Sequence, residues 1–342
     1  MKKLIREIAC SIAALLIGSG VAQAADVVKI ATVKSTALGA VYVALDKGYF
    51  KDAGIDIEFA NFDSPGLVPP AIVSGSSDIG STGVSAQLYA LAAQGAVKIF
   101  AGQAREHATF QVNAFILSNA ASAAGLTSLD KLAGHSIAIS LIGSPVHYAA
   151  AQVLLKHGIA LDQVRFLPVQ SNGNIVSAVT GGTADTGVVP ATVMAPALAR
   201  GDLKLLAYIG DEVPWQIAYL LTSAKLADTQ PKTVEHWLAA YRHAARDYHD
   251  AFTNAQGARE DQATAPEILA IMEKYLKQSA QRLEASIGYV DPEGRLDVPD
   301  VHHQAEWFAA QGLVKGKPDP DKIIASRYIL PWTGVHGTGG SQ

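Results

Sequence analysis

Cysteine is nearly absent from this chain: Cys10 is the only one in 342 residues. A disulfide framework and any metal centre built on thiolates are excluded by that scarcity. Aromatic residues make up 7% and charged residues only 17%, with a formal net charge of −4, so there is no basic footprint and nucleic acid is not an expected partner. After residue 24 no apolar run reaches the ~18 residues a membrane span needs. There is also no G-x-S-x-G elbow, no phosphate-cradling G-x-x-x-x-G-K-[ST] loop and no G-x-G-x-x-G opening a helix. What is present is 49% hydrophobic residues, enough for a large core, in a chain long enough for two domains.

The first residues carry a compartment signal. Lys2, Lys3 and Arg6 precede an apolar run from Ile8 to Ile17, and Ala22-Gln23-Ala24 is a small-x-small cleavage site. Together they predict a secretory signal peptide over residues 1–24, a mature start near Ala25 and a periplasmic location. Removing that segment takes away a net +2 and leaves a mature charge of −6, with no cysteine. Cys10 lies ahead of most of the apolar run, so it is not a lipidated first residue.

The rest of the chain is organised around a repeated unit. Ala71 to Gly83, A-I-V-S-G-S-S-D-I-G-S-T-G, returns at Ala178 to Pro190 as A-V-T-G-G-T-A-D-T-G-V-V-P. Each copy reads as a helix stopped by glycine, a turn carrying Asp, a short strand with a second glycine, and an open strand end. Ligands of open α/β sheets bind at the carboxyl ends of strands, so two copies imply two lobes facing one cleft.

Val27 to Val33 reads as a buried parallel strand, and Lys34-Ser35-Thr36 ends it and opens a helix. Further strands are expected at 55–59, 97–101, 112–117, 136–140, 164–168, 203–209 and 217–222, and helices at 146–157, 233–252, 266–277 and 301–311. Asn119 to Ser122 is the expected crossing into the second lobe and Gly210 to Trp215 the return. The expected domains are therefore 25–118 with 214–342, and 119–213. The tail beyond Trp332 is expected to bury nothing.

The run from Ala44 to Glu58, A-L-D-K-G-Y-F-K-D-A-G-I-D-I-E, is similar to the first helix and second strand of the nitrate/taurine/sulfonate class of periplasmic solute-binding proteins of ABC importers. Ser74 to Gly80, Gly143-Ser144-Pro145, the repeat at Gly182 to Gly187 and Gln311-Gly312-Leu313-Val314 extend that resemblance over almost the whole mature chain. It implies a type II periplasmic-binding-protein clamshell: two lobes, each a mostly parallel sheet flanked by helices, joined by two crossings, with carboxy-terminal helices on the first lobe. It also implies a monomer that binds a small molecule, works with an ABC permease and its ATPase, and needs no cofactor. Fungal thiamine-pyrimidine synthases share this fold family but depend on a cysteine-rich segment, which this mature chain lacks.

The residues suited to ligand binding lie at strand ends and helix openings. Ser144, with Pro145 after it, opens a helix whose unpaired N–H groups suit a carboxylate, sulfonate or nitrate, and Gly143 leads into that turn. Ser81, Thr82 and Gly83 offer a second seat, and Lys34, Ser35 and Thr36 end the first strand beside the same cleft. Arg105 has a planar fork for an anion; its other reading is a surface ion pair with Glu106 or a neighbour. His147 is either a ligand contact or a capping or core histidine, and Trp215 either an aromatic cover or hinge packing. Gln103, Asn172 and Pro190 complete the set. No catalytic set is expected. For metal, only His302 with Glu306, His243 with Asp247 and His249 with Asp250 come near a ligand spacing, and no third ligand joins them. The sequence therefore predicts a binding protein for a small organic anion, with a neutral heterocycle such as a thiamine pyrimidine precursor, or a secreted enzyme on the same fold, as alternatives.

Overall fold

The computed structural model describes residues 25–62, 65–315 and 319–333, so the expected signal peptide and the final tail lie outside the described residues. In chain order the strands are β1 (Asp26–Thr32), β2 (Ile55–Asn61), β3 (Ile79–Thr82), β4 (Val97–Gly102), β5 (Ala104–Glu106), β6 (Asn113–Ser118) and β7 (Ser136–Ile139). They continue with β8 (Arg165–Pro168), β9 (Thr186–Pro190), β10 (Leu203–Tyr208), β11 (Trp215–Gln216), β12 (Tyr219–Ser223) and β13 (Tyr289–Val290).

Two five-stranded sheets form, in the orders β2-β1-β3-β12-β4 and β8-β7-β9-β6-β10. They match strand for strand. In each, the fourth strand runs against its neighbours, and that strand (β12 or β6) enters after the chain has crossed from the other sheet. In the small sheet β11-β5-β13, β5 lies just before the first crossing and pairs with β11 at the end of the second, and β13 joins β5 from the carboxy-terminal part of the chain.

The repeated motif explains itself here. Gly75 and Gly182 take φ of +73° and +71°, the left-handed region where a side chain is strained. Asp78 accepts from the Lys29 N–H in β1, and Asp185 accepts from the Ser136 N–H in β7, at 2.8 and 2.9 Å. Each Asp thus ties its turn to the neighbouring strand. Gly80 opposes Ala31 and Gly187 opposes Ala138 in parallel register. A Cβ at Gly80 would stand 2.9 Å from Val68 Cγ1, and one at Gly187 2.5 Å from Ile175 Cγ2, so each glycine lets the preceding helix lie on its sheet.

β6 is hydrogen-bonded wholly within the second sheet, so the first crossing falls at 107–112, ahead of the Asn119 to Ser122 expected from the sequence. Asn119–Ala123 is a short helix capped by Ser118. The apolar run at 112–117 says strand, but nothing in it says which sheet. The return runs through the short helix Ile209–Glu212 into β11, close to where it was expected.

The helices Pro231–Phe252 and Ala265–Leu276 bury Trp237, Tyr241, Ile268 and Met272 against Val41 and Val43 of the first lobe's opening helix. The helix Val298–Ala310 behaves differently. Trp307 and Phe308 join one continuous apolar cluster with Val97 and Tyr219 of the first sheet's lobe and Ile137, Tyr148 and Val188 of the second. The two lobes therefore share a core through the hinge.

Candidate functional site

Between the lobes lies a cavity of about 220 Å³. Its walls are built from the sequence features that open helices. Thr36 follows β1 and leads into the helix Gly39–Asp46; Pro145 and Val146 begin Pro145–Lys156; Asn172 begins Asn172–Thr180; Thr192 and Val193 lie in the first turn of Ala191–Ala199. The first N–H groups of a helix have no intrahelical acceptor and carry the positive end of its dipole. Ser144 and Ser171 cap two of these helices, accepting from the N–H of His147 and of Asn174, which leaves for a ligand the Val146 N–H of the first, since Pro145 has none, and the Asn172 and Gly173 N–H groups of the second.

Side chains add to this. Thr82 lines the cavity, and its Oγ1 is buried with no hydrogen-bond partner. Ser81 also lines it, donating to Gln103 Oε1 at 2.6 Å. Among the described residues no Asp, Glu or His lines the cavity, and Lys34, on the exposed rim, supplies the one cationic side chain. Trp215 is 2% exposed; its ring borders the cavity while its Nε1–H donates to Glu106 Oε2 at 3.1 Å. The two readings of this residue, ligand cover and hinge packing, are therefore compatible.

Of the residues singled out from the sequence, Lys34, Ser35, Thr36, Ser81, Thr82, Gly83, Ser144, Asn172, Pro190 and Trp215 line this cavity. Gln103 lies behind Ser81, and Gly143 lines a smaller adjoining cavity of about 70 Å³ that Ser144 also borders. His147 faces away. Its Nδ1 accepts from the Gly143 N–H at 3.1 Å, and its ring lies edge-to-face between Phe166 and Trp307. Burial pushes its pKa down to about 4, so the ring is neutral and serves as a brace for the turn.

Arg105 is neither at the cavity nor on the surface. It is buried in β5, pairs with Asp297 at 2.6 Å and lies over the Trp332 ring. A buried guanidinium needs a carboxylate, and Asp297, which also caps the helix Val298–Ala310, provides it. Glu106, its expected surface partner, is fully buried instead and accepts hydrogen bonds from Val112, Asn113 and Trp215. The histidines weighed for metal binding are occupied elsewhere: His302 pairs with Asp321, His243 stacks on Tyr49, and His249 Nδ1 meets the Val290 carbonyl.

Sequence reasoning missed Asn113, Gln170 and Gln278, which also line the cavity. Gln170 has φ +73°, unusual for a residue with a side chain, and sits just before the Ser171 cap. A polar pair directly ahead of a helix was the available signal. Asn113 and Gln278 gave none, since one sits at the start of a strand and the other in a loop.

Solved structures share this architecture at low identity. The periplasmic aliphatic sulfonate-binding protein SsuA of Escherichia coli is similar at a TM-score of 0.67 and 17% identity, over 93% of this chain and 95% of that one. SsuA of Xanthomonas axonopodis pv. citri, bound to MOPS, gives 0.67 and 17% over 91% and 100%. The desulfurization enzyme DSZB gives 0.60 and 14% over 88% and 96%. The chain thus has the fold of periplasmic binding proteins. No curated protein sequence matches it. The profile of the NMT1/THI5 like family matches residues 35–255, well over half of the chain, and the protein belongs to that family.

Proposed function

We propose that this protein is the periplasmic substrate-binding component of an ABC importer, which captures a small organic anion, a sulfonate or carboxylate, between its lobes. It works as a monomer and hands the anion to a membrane permease served by an ATPase. One observation carries the reading. The cavity is edged by helix amino ends and by Thr82, whose buried hydroxyl has no partner, and no acidic side chain among the described residues lines it. Such a site stabilises a negative group without a buried counter-charge. The sulfonate-binding neighbours, one of them holding MOPS, support the same ligand class.

The protein binds without turnover in this reading. The cavity offers hydroxyl groups, but among the described residues no histidine or carboxylate lines it to act as a general base. A thermal-shift screen of the chain from Ala25, with alkanesulfonates, aromatic carboxylates and aminopyrimidines, tests the proposal. A ligand at 100 times its Kd adds about 2.7 kcal/mol of stability. Stabilisation by sulfonates or carboxylates, with the ligand recovered unchanged, supports it. Stabilisation by pyrimidines alone replaces it with the heterocycle reading, and a turnover product replaces it with an enzyme.

A further inference from the structure

Beneath the cavity floor lies a buried charge that the anion site does not use. Glu106 is 0% exposed, and its carboxylate accepts from Val112 N at 2.9 Å, Asn113 N at 2.7 Å, Asn113 Nδ2 at 2.9 Å and Trp215 Nε1 at 3.1 Å. No basic side chain among the described residues forms an ion pair with it. Burial raises the pKa of this carboxyl, and the four hydrogen bonds oppose that by holding the ionised form. Val112, Asn113 and Trp215 all line the cavity, so one carboxylate fixes three wall residues from both crossings.

This arrangement decides which way Asn113 points. Groups that can only donate meet both Glu106 oxygens, Val112 N–H and Asn113 N–H at Oε1 and Trp215 Nε1–H at Oε2, and the Asn113 amide turns its NH₂ group to Oε2 beside them. Asn113 Oδ1 is left at the cavity wall with no donor among the described residues. The Ser81 hydroxyl has given its proton to Gln103. A ligand that is only an anion leaves Asn113 Oδ1 unmet.

We propose that Asn113, oriented by Glu106, is a specificity-determining acceptor, and that the ligand is an organic anion bearing an N–H or O–H donor as well. The inference rests on the anion reading above. Glu106 is a positioning residue: by accepting from the Asn113 NH₂ group it turns that amide and strengthens Oδ1 as an acceptor.

Three probes of equal heavy-atom count test this by calorimetry: propane-1-sulfonate, 2-hydroxyethanesulfonate and 2-aminoethanesulfonate. One or both donor-bearing probes should bind about tenfold tighter than the methyl-ended one. In Asn113→Ala that preference should vanish. In Glu106→Gln it should shrink or reverse, because a glutamine there can donate to Oδ1 and release the Asn113 NH₂ to the cavity. A purely structural role for either residue lowers all three affinities together and keeps their ratio, which overturns the inference. Equal binding of the three probes by the parent protein also overturns it while leaving the anion reading standing. Failure of all three to bind overturns both.

Discussion

Gly83, just past the end of β3, lies flat against Pro145, which opens a helix of the other lobe: a Cβ at Gly83 would stand 2.5 Å from Pro145 Cγ. Nearby the Ala86 N–H donates to the Gly143 carbonyl at 3.0 Å, and Arg282 Nε donates to the Thr192 carbonyl at 2.8 Å. The lobes therefore touch at these points.

Gly83→Ala tests whether this contact is the closing one. The added methyl also approaches the Ile217 carbonyl at 2.8 Å, so some loss of stability is expected in any state. Overpacking of this kind costs about 1–3 kcal/mol, which falls mainly on the closed form and weakens binding by roughly tenfold. Small-angle scattering at ligand saturation should give a larger radius for the variant than for the parent. Equal radii and equal affinities would mean that this contact does not govern closure.

Thr82→Val and Ser144→Ala separate binding from folding. The Thr82 hydroxyl is buried with no partner, so an isosteric valine should leave the ligand-free melting temperature unchanged or higher. Its affinity should nevertheless fall by about tenfold, since a hydrogen bond to a charged group contributes about 1.5–3 kcal/mol. Ser144 also caps its helix, so its alanine variant should lose about 1 kcal/mol of stability along with affinity. Calorimetry beside thermal melts distinguishes the two patterns; parent-like affinity in both variants would move the ligand elsewhere.

How far the sequence reached depended on whether the signal was local. The repeat was legible because Gly75 and Gly182, Asp78 and Asp185, and Gly80 and Gly187 each answer a local demand of turn, tie or close packing. Cavity residues at helix openings, such as Ser144 and Thr36, were legible for the same reason. Arg105 was misplaced because its partner Asp297 lies 192 residues away, a pairing that periodicity does not carry. The same holds for the shared core at Trp307 and for the orientation of Asn113, which depends on Glu106 packing beneath it.

Gln170 holds φ +73° beside the cavity, a conformation that costs a residue with a side chain about 1–2 kcal/mol. Gln170→Gly relieves that strain but adds freedom to the unfolded chain, so the net gain in stability is at most about 1 kcal/mol. Urea melts without ligand should show an equal or higher midpoint, and binding of the anion should weaken. A clear loss of stability instead would mean that the glutamine side chain holds the loop together.

His147 gives the protein a pH dependence with a definite sign. Its pKa in the folded state is about 4, below its ordinary value of 6.5, because burial between Phe166 and Trp307 disfavours the charged ring. The unfolded chain takes up the proton first as pH falls. The contribution of the neutral ring is therefore complete above pH 6.5, is lost progressively between 6.5 and about 4, and changes no further below that. The full loss is at most about 3 kcal/mol, since each tenfold difference in proton affinity between the folded and unfolded chain is worth about 1.4 kcal/mol. His147→Gln keeps an acceptor for the Gly143 N–H but takes up no proton in this range. Urea midpoints at pH 7, 6 and 5 should fall for the parent and fall less for the variant. The comparison isolates His147 because carboxylates titrate alike in both proteins, and parallel curves would show that the ring is hydrated well enough to keep its ordinary pKa.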